Sequence, residues 1–157
     1  MDRTIREGRN DDLARLFEIQ RSASTRAFAR IFDPERHPYP DDDVRAYVRS
    51  LLADPETEHL VAEEDCRAVG FAAVSPGWLE QLYVLPEAQG RGVGGALLAA
   101  AVARRREAGD TELRLWTLEG NEPGRRFYEA HGWRLASETR VVPYPPHPID
   151  VSYVLAL

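Results

Sequence analysis

An α/β domain built on a mixed sheet is the fold class the sequence predicts, and three observations predict it. A β-prone run from Trp78 to Val84 stops at Pro86 and leads through a glycine-rich turn into an Ala/Leu-rich helix. Upstream of that unit, short runs separated by turn residues read as hairpin-like strands, which pair antiparallel. Downstream come a strand, a helix and a closing strand pair, and the strands flanking the glycine-turn helix are expected to be parallel. The expectation is one domain over residues 1–157. Its central mixed sheet has about seven strands, with roughly four helices on both faces.

Each element has its own signal. Thr4, Ile5 and Arg6 read as a short first strand, and Asn10, Asp11 and Asp12 supply the cap of a helix whose Leu13, Leu16, Phe17 and Ile19 recur at helical spacing. From residue 28 to 40 the pattern breaks up around Pro34, Pro38 and Pro40 and the aromatics Phe28, Phe32 and Tyr39. Asp41, Asp42 and Asp43 then cap a helix carrying Val44, Tyr47, Val48, Leu51 and Leu52. Residues 59–62 and 68–74 are strands around a turn at Glu64 and Asp65, and Ser75-Pro76-Gly77 turns the chain into the strand at 78–84. A helix from Gly92 or Val93 to about Ala108 is ended by Gly109, and residues 112–117 alternate as a strand. Asn121 caps a helix ending near His131, Gly132 breaks it, and residues 133–141 and 149–157 close the sheet as an antiparallel pair. The proline-rich stretch 143–148 between them is stiff.

Composition narrows the classes. With 43% hydrophobic and 29% charged residues, the chain reads as a soluble globular protein whose core needs neither disulfide nor metal. The apolar stretch from Val93 to Ala103 is too short to span a membrane, and the charged start from Met1 to Arg6 has no cleavable signal pattern. A cytoplasmic location with no membrane partner is therefore expected. Twenty basic against 26 acidic side chains give a net charge of −6, which argues against nucleic acid as a partner. Arg104, Arg105 and Arg106 read as a solvated helix end that complements the dipole. Cys66 is the single cysteine and reads as a half-buried residue beside a turn. His37, His59 and His147 have no partners at metal-ligand spacing, so no metal is expected.

The glycine-rich turn carries the chemistry. Gln89-Gly90-Arg91-Gly92-Val93-Gly94-Gly95 lies where the first helical N–H groups have no intrahelical partner and the macrodipole adds positive character, an arrangement suited to phosphate. A Walker A loop requires a lysine that this segment lacks. Gly90-x-Gly92-x-x-Gly95 spells the dinucleotide fingerprint, with Glu119 as the candidate ribose acid. Glu119 lies beyond the separation of about 20 residues which that unit uses, and the upstream hairpins do not suit a doubly wound sheet.

A third spelling, Gln89-x-x-Gly92-x-Gly94, resembles the acetyl-CoA pyrophosphate loop of the GNAT N-acetyltransferase superfamily. The segment Asn121…Phe127-Tyr128-x-x-x-Gly132-Trp133 is similar to a second motif of the same family, with Gly124 where alanine is common and Trp133 where phenylalanine is usual. The resemblance implies an acetyl-CoA-dependent enzyme that moves an acetyl group to a primary amine by direct attack in a ternary complex. It implies that strands four and five are parallel and splayed around the pantetheine arm. Gln89, Gly90, Arg91, Gly92, Val93, Gly94 and Gly95 are then expected at the pyrophosphate, Leu82, Tyr83 and Val84 along the arm, and Asn121 both at the arm and as helix cap.

Tyr128 stands at the family's general-acid position. A phenol of pKa about 10 can protonate a thiolate of pKa about 8.5 when held within hydrogen-bond reach. Glu80, on the strand face expected to be shared with Leu82 and Val84, is the candidate carboxylate for the amine proton. His131, just before Gly132, reads as a dipole partner at a helix end. The acceptor is expected to be a small-molecule or peptide amine, with a small molecule, a peptide N-terminus and a lysine side chain all open. Phe28, Phe32, Tyr39 and Tyr144 are candidates for a pocket taking an amine of apolar character, with Asp33, Glu35 or residues 41–43 offering charge. Members of such a family often pair through edge strands, which makes a homodimer an expectation as well. Two other readings use the same loop: a non-catalytic acyl-CoA sensor and a dinucleotide-binding enzyme.

Overall fold

Residues 2–157 are described by a computed structural model, in which the periodicities read above become seven strands and four helices. The strands are β1 (Arg3–Glu7), β2 (Glu58–Glu64), β3 (Arg67–Ser75), β4 (Trp78–Val84), β5 (Glu112–Leu118), β6 (Arg134–Val141) and β7 (Ile149–Ala156). The helices are α1 (Leu13–Ala27), α2 (Asp41–Ala53), α3 (Val93–Glu107) and α4 (Glu122–Ala130). One sheet holds the strands in the order β1-β2-β3-β4-β5-β7-β6, antiparallel except between β4 and β5. With one parallel pair among the described residues, this is not the doubly wound sheet that a dinucleotide-binding domain requires. No helix among the described residues is long and apolar enough to cross a membrane.

The core forms where helices cover the middle of the sheet. Every residue of β3 from Ala68 to Val74 is buried, so both of its faces are covered. Leu16 and Ile19 of α1 and Val48 of α2 are fully buried in the same cluster as Val93, Leu97, Leu98 and Ala101 of α3. A leucine buried this completely contributes about 2 kcal/mol.

Five local expectations are corrected. The β2–β3 turn is Asp65-Cys66, both left-handed at φ 50° and 64°, so Glu64 stays in β2 as a buried carboxylate. Two left-handed residues match the strand twist of a tight hairpin, and Cys66 at its tip is exposed, not half-buried. Asp12 does not cap α1 with its side chain. It accepts the Arg9 amide at 2.7 Å and the Arg6 guanidinium at 2.8 and 2.9 Å. Asp41, Asp42 and Asp43 form the first turn of α2 and make no cap hydrogen bond, so they act on the helix dipole. Arg105 is buried, not solvated: Gly109 at φ 96° turns the chain back, and Asp110 takes the guanidinium at 2.8 Å while accepting the Gly77 amide at 2.9 Å.

Candidate active site

A bulge opens the sheet at its centre. Ala73 of β3 faces Gln81 and Val74 faces Leu79, leaving Glu80 without a partner. Such an extra residue bends its strand. β4 then pairs with β5 only at Trp78 and Arg114, and beyond that point the strands part. The cleft between them holds a cavity of about 330 Å³ lined by Glu80, Leu82 and Tyr83 of β4, Leu115 to Leu118 of β5, Asn121 and Tyr128.

The bulge also corrects the expected strand alternation. Glu80 does not share a face with Leu82 and Val84. Its carboxylate accepts the Ser75 hydroxyl at 2.7 Å and the Tyr47 hydroxyl of α2 at 3.4 Å, while Val84 faces α3 near Gly94. Burial, reinforced by Glu80, pushes the Tyr47 phenol up to about 12, so it remains a donor. Gln81 lies on the helix-α1 side, donating to Gln20 at 2.7 Å.

Tyr128 faces the cleft from α4, with its ring against Trp133 at 5.8 Å and Tyr153 at 6.4 Å. Burial, and the nearby Tyr83 phenol, raise its pKa well above the ordinary phenol value, so the hydroxyl keeps its proton. Asn121 caps α4 by accepting the Gly124 amide at 3.2 Å and donates to the Thr117 hydroxyl at 3.1 Å. A Cβ at position 124 would collide with this amide, which accounts for glycine where alanine is expected.

The glycine turn lies at the far end of β4, outside the cavity lining. Gly90 and Gly92 are left-handed at φ 78° and 83°, Gly92 is the N-cap of α3, and Val93 is buried as the first helical anchor. Gln89 donates back to the Val84 carbonyl at 3.0 Å. Arg91 forms an ion pair with the buried Glu64, and Arg3 binds both that carboxylate at 3.2 Å and the Arg91 carbonyl at 2.6 Å. Burial alone would raise the Glu64 carboxyl; the two guanidiniums outweigh it and hold it below the usual carboxylate range. Gly94 and Gly95 open the helix beside the Phe127 ring and His131. His131 Nδ1 donates to the Phe127 carbonyl at 2.7 Å, as a helix-end histidine does.

A second cavity of about 460 Å³ adjoins the cleft, and Phe28, Phe32, Tyr39 and Tyr144 all line it. Asp33, Glu35 and residues 41–43 do not. Asp150 of β7 does, and it also lines the cleft, where Arg140 donates to it at 2.9 Å. Sequence reasoning missed Asp150, Arg140, Ser75 and Tyr47. Only Asp150 left a signal, a charge interrupting the apolar run of its strand.

Comparisons with known proteins bear on the family and the fold. A model of the acetyltransferase (GNAT) family matches residues 14–133. An uncharacterized N-acetyltransferase of Archaeoglobus fulgidus is 33% identical over 103 residues, covering 59% of this chain and 70% of that protein. The mycothiol acetyltransferase of Thermomonospora curvata is 34% identical over 128 residues, covering 78% of this chain, but the chain spans only 42% of that longer protein. The crystal structure of the PaiA N-acetyltransferase of Thermoplasma acidophilum in complex with coenzyme A superposes with a TM-score of 0.79 at 22% identity, over 100% of both chains.

Proposed function

This chain belongs to the acetyltransferase (GNAT) family, and we propose that it moves the acetyl group of acetyl-CoA to a primary amine by direct attack in a ternary complex. The observation that carries the proposal is the cleft itself, where a bulge parts β4 from β5 and both Tyr128 and Glu80 line the opening. Acetyl-CoA suits the residues present. Beyond Trp78 the β5-facing edge of β4 has no strand partner, so the main-chain groups of Leu82 and the Val84 amide, which alternate onto that edge, are free to extend the sheet onto an amide-bearing arm, while those of Tyr83 face β3 and the Val84 carbonyl is held by Gln89. The left-handed glycines expose the first amides of α3 to a diphosphate, across the segment from Gln89 to Gly95.

In the reaction, the amine nitrogen forms a bond to the thioester carbonyl carbon and the carbon–sulfur bond breaks. Tyr128 gives its phenolic proton to the leaving thiolate. The proton lost by the attacking amine passes to the Glu80 carboxylate, directly or through water, and solvent exchange restores both groups. Ser75 and Tyr47 hold that carboxylate at the cleft through hydrogen bonds.

Replacing Tyr128 with phenylalanine keeps the ring packing and removes only the proton. We expect kcat to fall by about 100-fold or more, with coenzyme A affinity, measured by calorimetry, within about threefold of the parent. Unchanged turnover under chemistry-limited conditions removes Tyr128 from its role. Coenzyme A binding without transfer across a broad amine panel makes the protein an acyl-CoA sensor. No heat with coenzyme A overturns the proposal.

A further inference from the structure

We infer that the acceptor is a monoamine carried on a flat apolar body, an arylalkylamine in its chemistry, and not a polycation or a peptide N-terminus. The inference rests on the N-acetyltransferase reading above. Its basis is the second cavity, about 460 Å³, which shares Gln20, Phe28, Leu118 and Asp150 with the catalytic cleft. The two cavities therefore meet at these four side chains, and we place the aromatic body in the outer one with its amine reaching past them toward Glu80 and Tyr128.

The outer cavity is aromatic. Phe28, Phe32, Tyr39 and Tyr144 converge on it from the connection after α1 and from the loop after β6, with prolines between them. Apolar walls of this kind gain by covering a flat hydrocarbon surface and offer few hydrogen-bond partners to the many hydroxyls of a sugar or to an extended peptide backbone. The loop carrying Tyr144 is held in place: its hydroxyl donates to Asp43 at 3.1 Å, and the His147 amide donates to the Tyr144 carbonyl at 2.7 Å. The aromatic wall is thus preformed, which limits the ordering cost of binding.

Charge sets the number of ammonium groups. The charged side chains lining the cleft are Glu80, Asp150 and Arg140, and Arg140 is already paired with Asp150. One carboxylate, Glu80, is left without a cationic partner, which suits one ammonium. The outer cavity adds Arg36 and His37 and no acid besides Asp150. The nearby acids are engaged elsewhere, Asp41 with Arg21, Asp42 with Arg45 and Asp43 with Tyr144. A second ammonium on the ligand would find no unpaired carboxylate there and would meet the Arg36 guanidinium.

The test is acetyl-CoA turnover by the intact protein with phenethylamine, spermidine, kanamycin and an alanine-initiated peptide, each at several concentrations, beside calorimetry with coenzyme A. The expected result is a kcat/KM for phenethylamine at least about tenfold above the other three. Phe32→Ala is expected to raise the phenethylamine KM by about tenfold, leaving kcat and coenzyme A affinity within about threefold. Tyr144→Leu serves as a second variant should Phe32→Ala fold poorly, with the same expected split. Faster transfer to spermidine, kanamycin or the peptide overturns the inference and leaves the N-acetyltransferase reading intact. Phenethylamine kinetics unmoved by either variant also overturns it. Coenzyme A binding with no transfer to any amine overturns both readings together.

Discussion

The two ends of the cleft are built on different principles. At the end of β4, the proposed anion site is one continuous stretch from Gln89 to Gly95, and the donors proposed for it are main-chain amides that any sequence with the right glycines would present. At the opposite end, the cavity proposed for the acceptor is made of side chains from α1, the connection to α2, α2 itself, β5, β7 and the loop before β7. A backbone site is spelled locally, whereas a side-chain site exists only once distant segments converge. The first kind depends on glycine geometry and the second on side-chain identity, so one fold can keep its donor site while changing its acceptor.

That contrast breaks if a backbone change at the turn disturbs the acceptor, or leaves the donor untouched. Gly92 sits at φ 83° and caps α3. Valine there is strained by more than the roughly 1–2 kcal/mol that a left-handed backbone costs an ordinary residue, and relief requires the turn to refold. Gly92→Val is therefore expected to weaken acetyl-CoA binding at least about tenfold, with the acceptor KM within about twofold. Calorimetry and steady-state kinetics check the two halves separately. An acceptor KM that rises with the donor Kd would show that the ends are coupled.

The same contrast explains what could be read from the sequence. The turn, the α3 start and the Tyr128 segment were legible because their residues are neighbours in the chain. Glu80 was found as a residue but placed on the wrong strand face, because its bulge exists only in the pairing with β3. Asp150 and Arg140 meet across β7 and β6, and Arg105 is buried because Asp110 returns to it around Gly109. None of these partnerships has a local spelling. The aromatics Phe28, Phe32, Tyr39 and Tyr144 were recognisable as candidates, but their convergence needed the sheet order that brings the loop after β6 over α2.

Asn121 lies between the two ends, where it lines the cleft and also caps α4. Asn121→Ala removes the cap and is expected to destabilise the fold by about 1 kcal/mol, read by urea unfolding. Asn121→Ser retains a capping hydroxyl and is expected to restore most of that stability. If the serine variant is stable yet still binds acetyl-CoA as weakly as the alanine variant, the amide serves the pantetheine arm as well as the helix. If stability and affinity recover together, Asn121 acts through the helix alone.

The smallest expected effect is the sharpest test of the main-chain character of the anion site. Arg91 is the residue in the turn whose side chain bears a positive charge, yet its guanidinium is committed to Glu64, beside Arg3. Removing it leaves the buried Glu64 paired with Arg3, so no carboxylate is stranded, and the guanidinium that is lost is itself well exposed and contributes little. Arg91→Ala is therefore expected to weaken coenzyme A binding by less than about threefold. Arg3→Ala is expected to cost similarly little, because Arg91 still holds the carboxylate. The double variant strands Glu64 at the edge of an anion site, and its loss of affinity should exceed the product of the two single losses. A loss above about tenfold for Arg91→Ala alone would mean that the diphosphate is held by a side chain that leaves Glu64 to reach it. The two ends of the cleft would then be built alike.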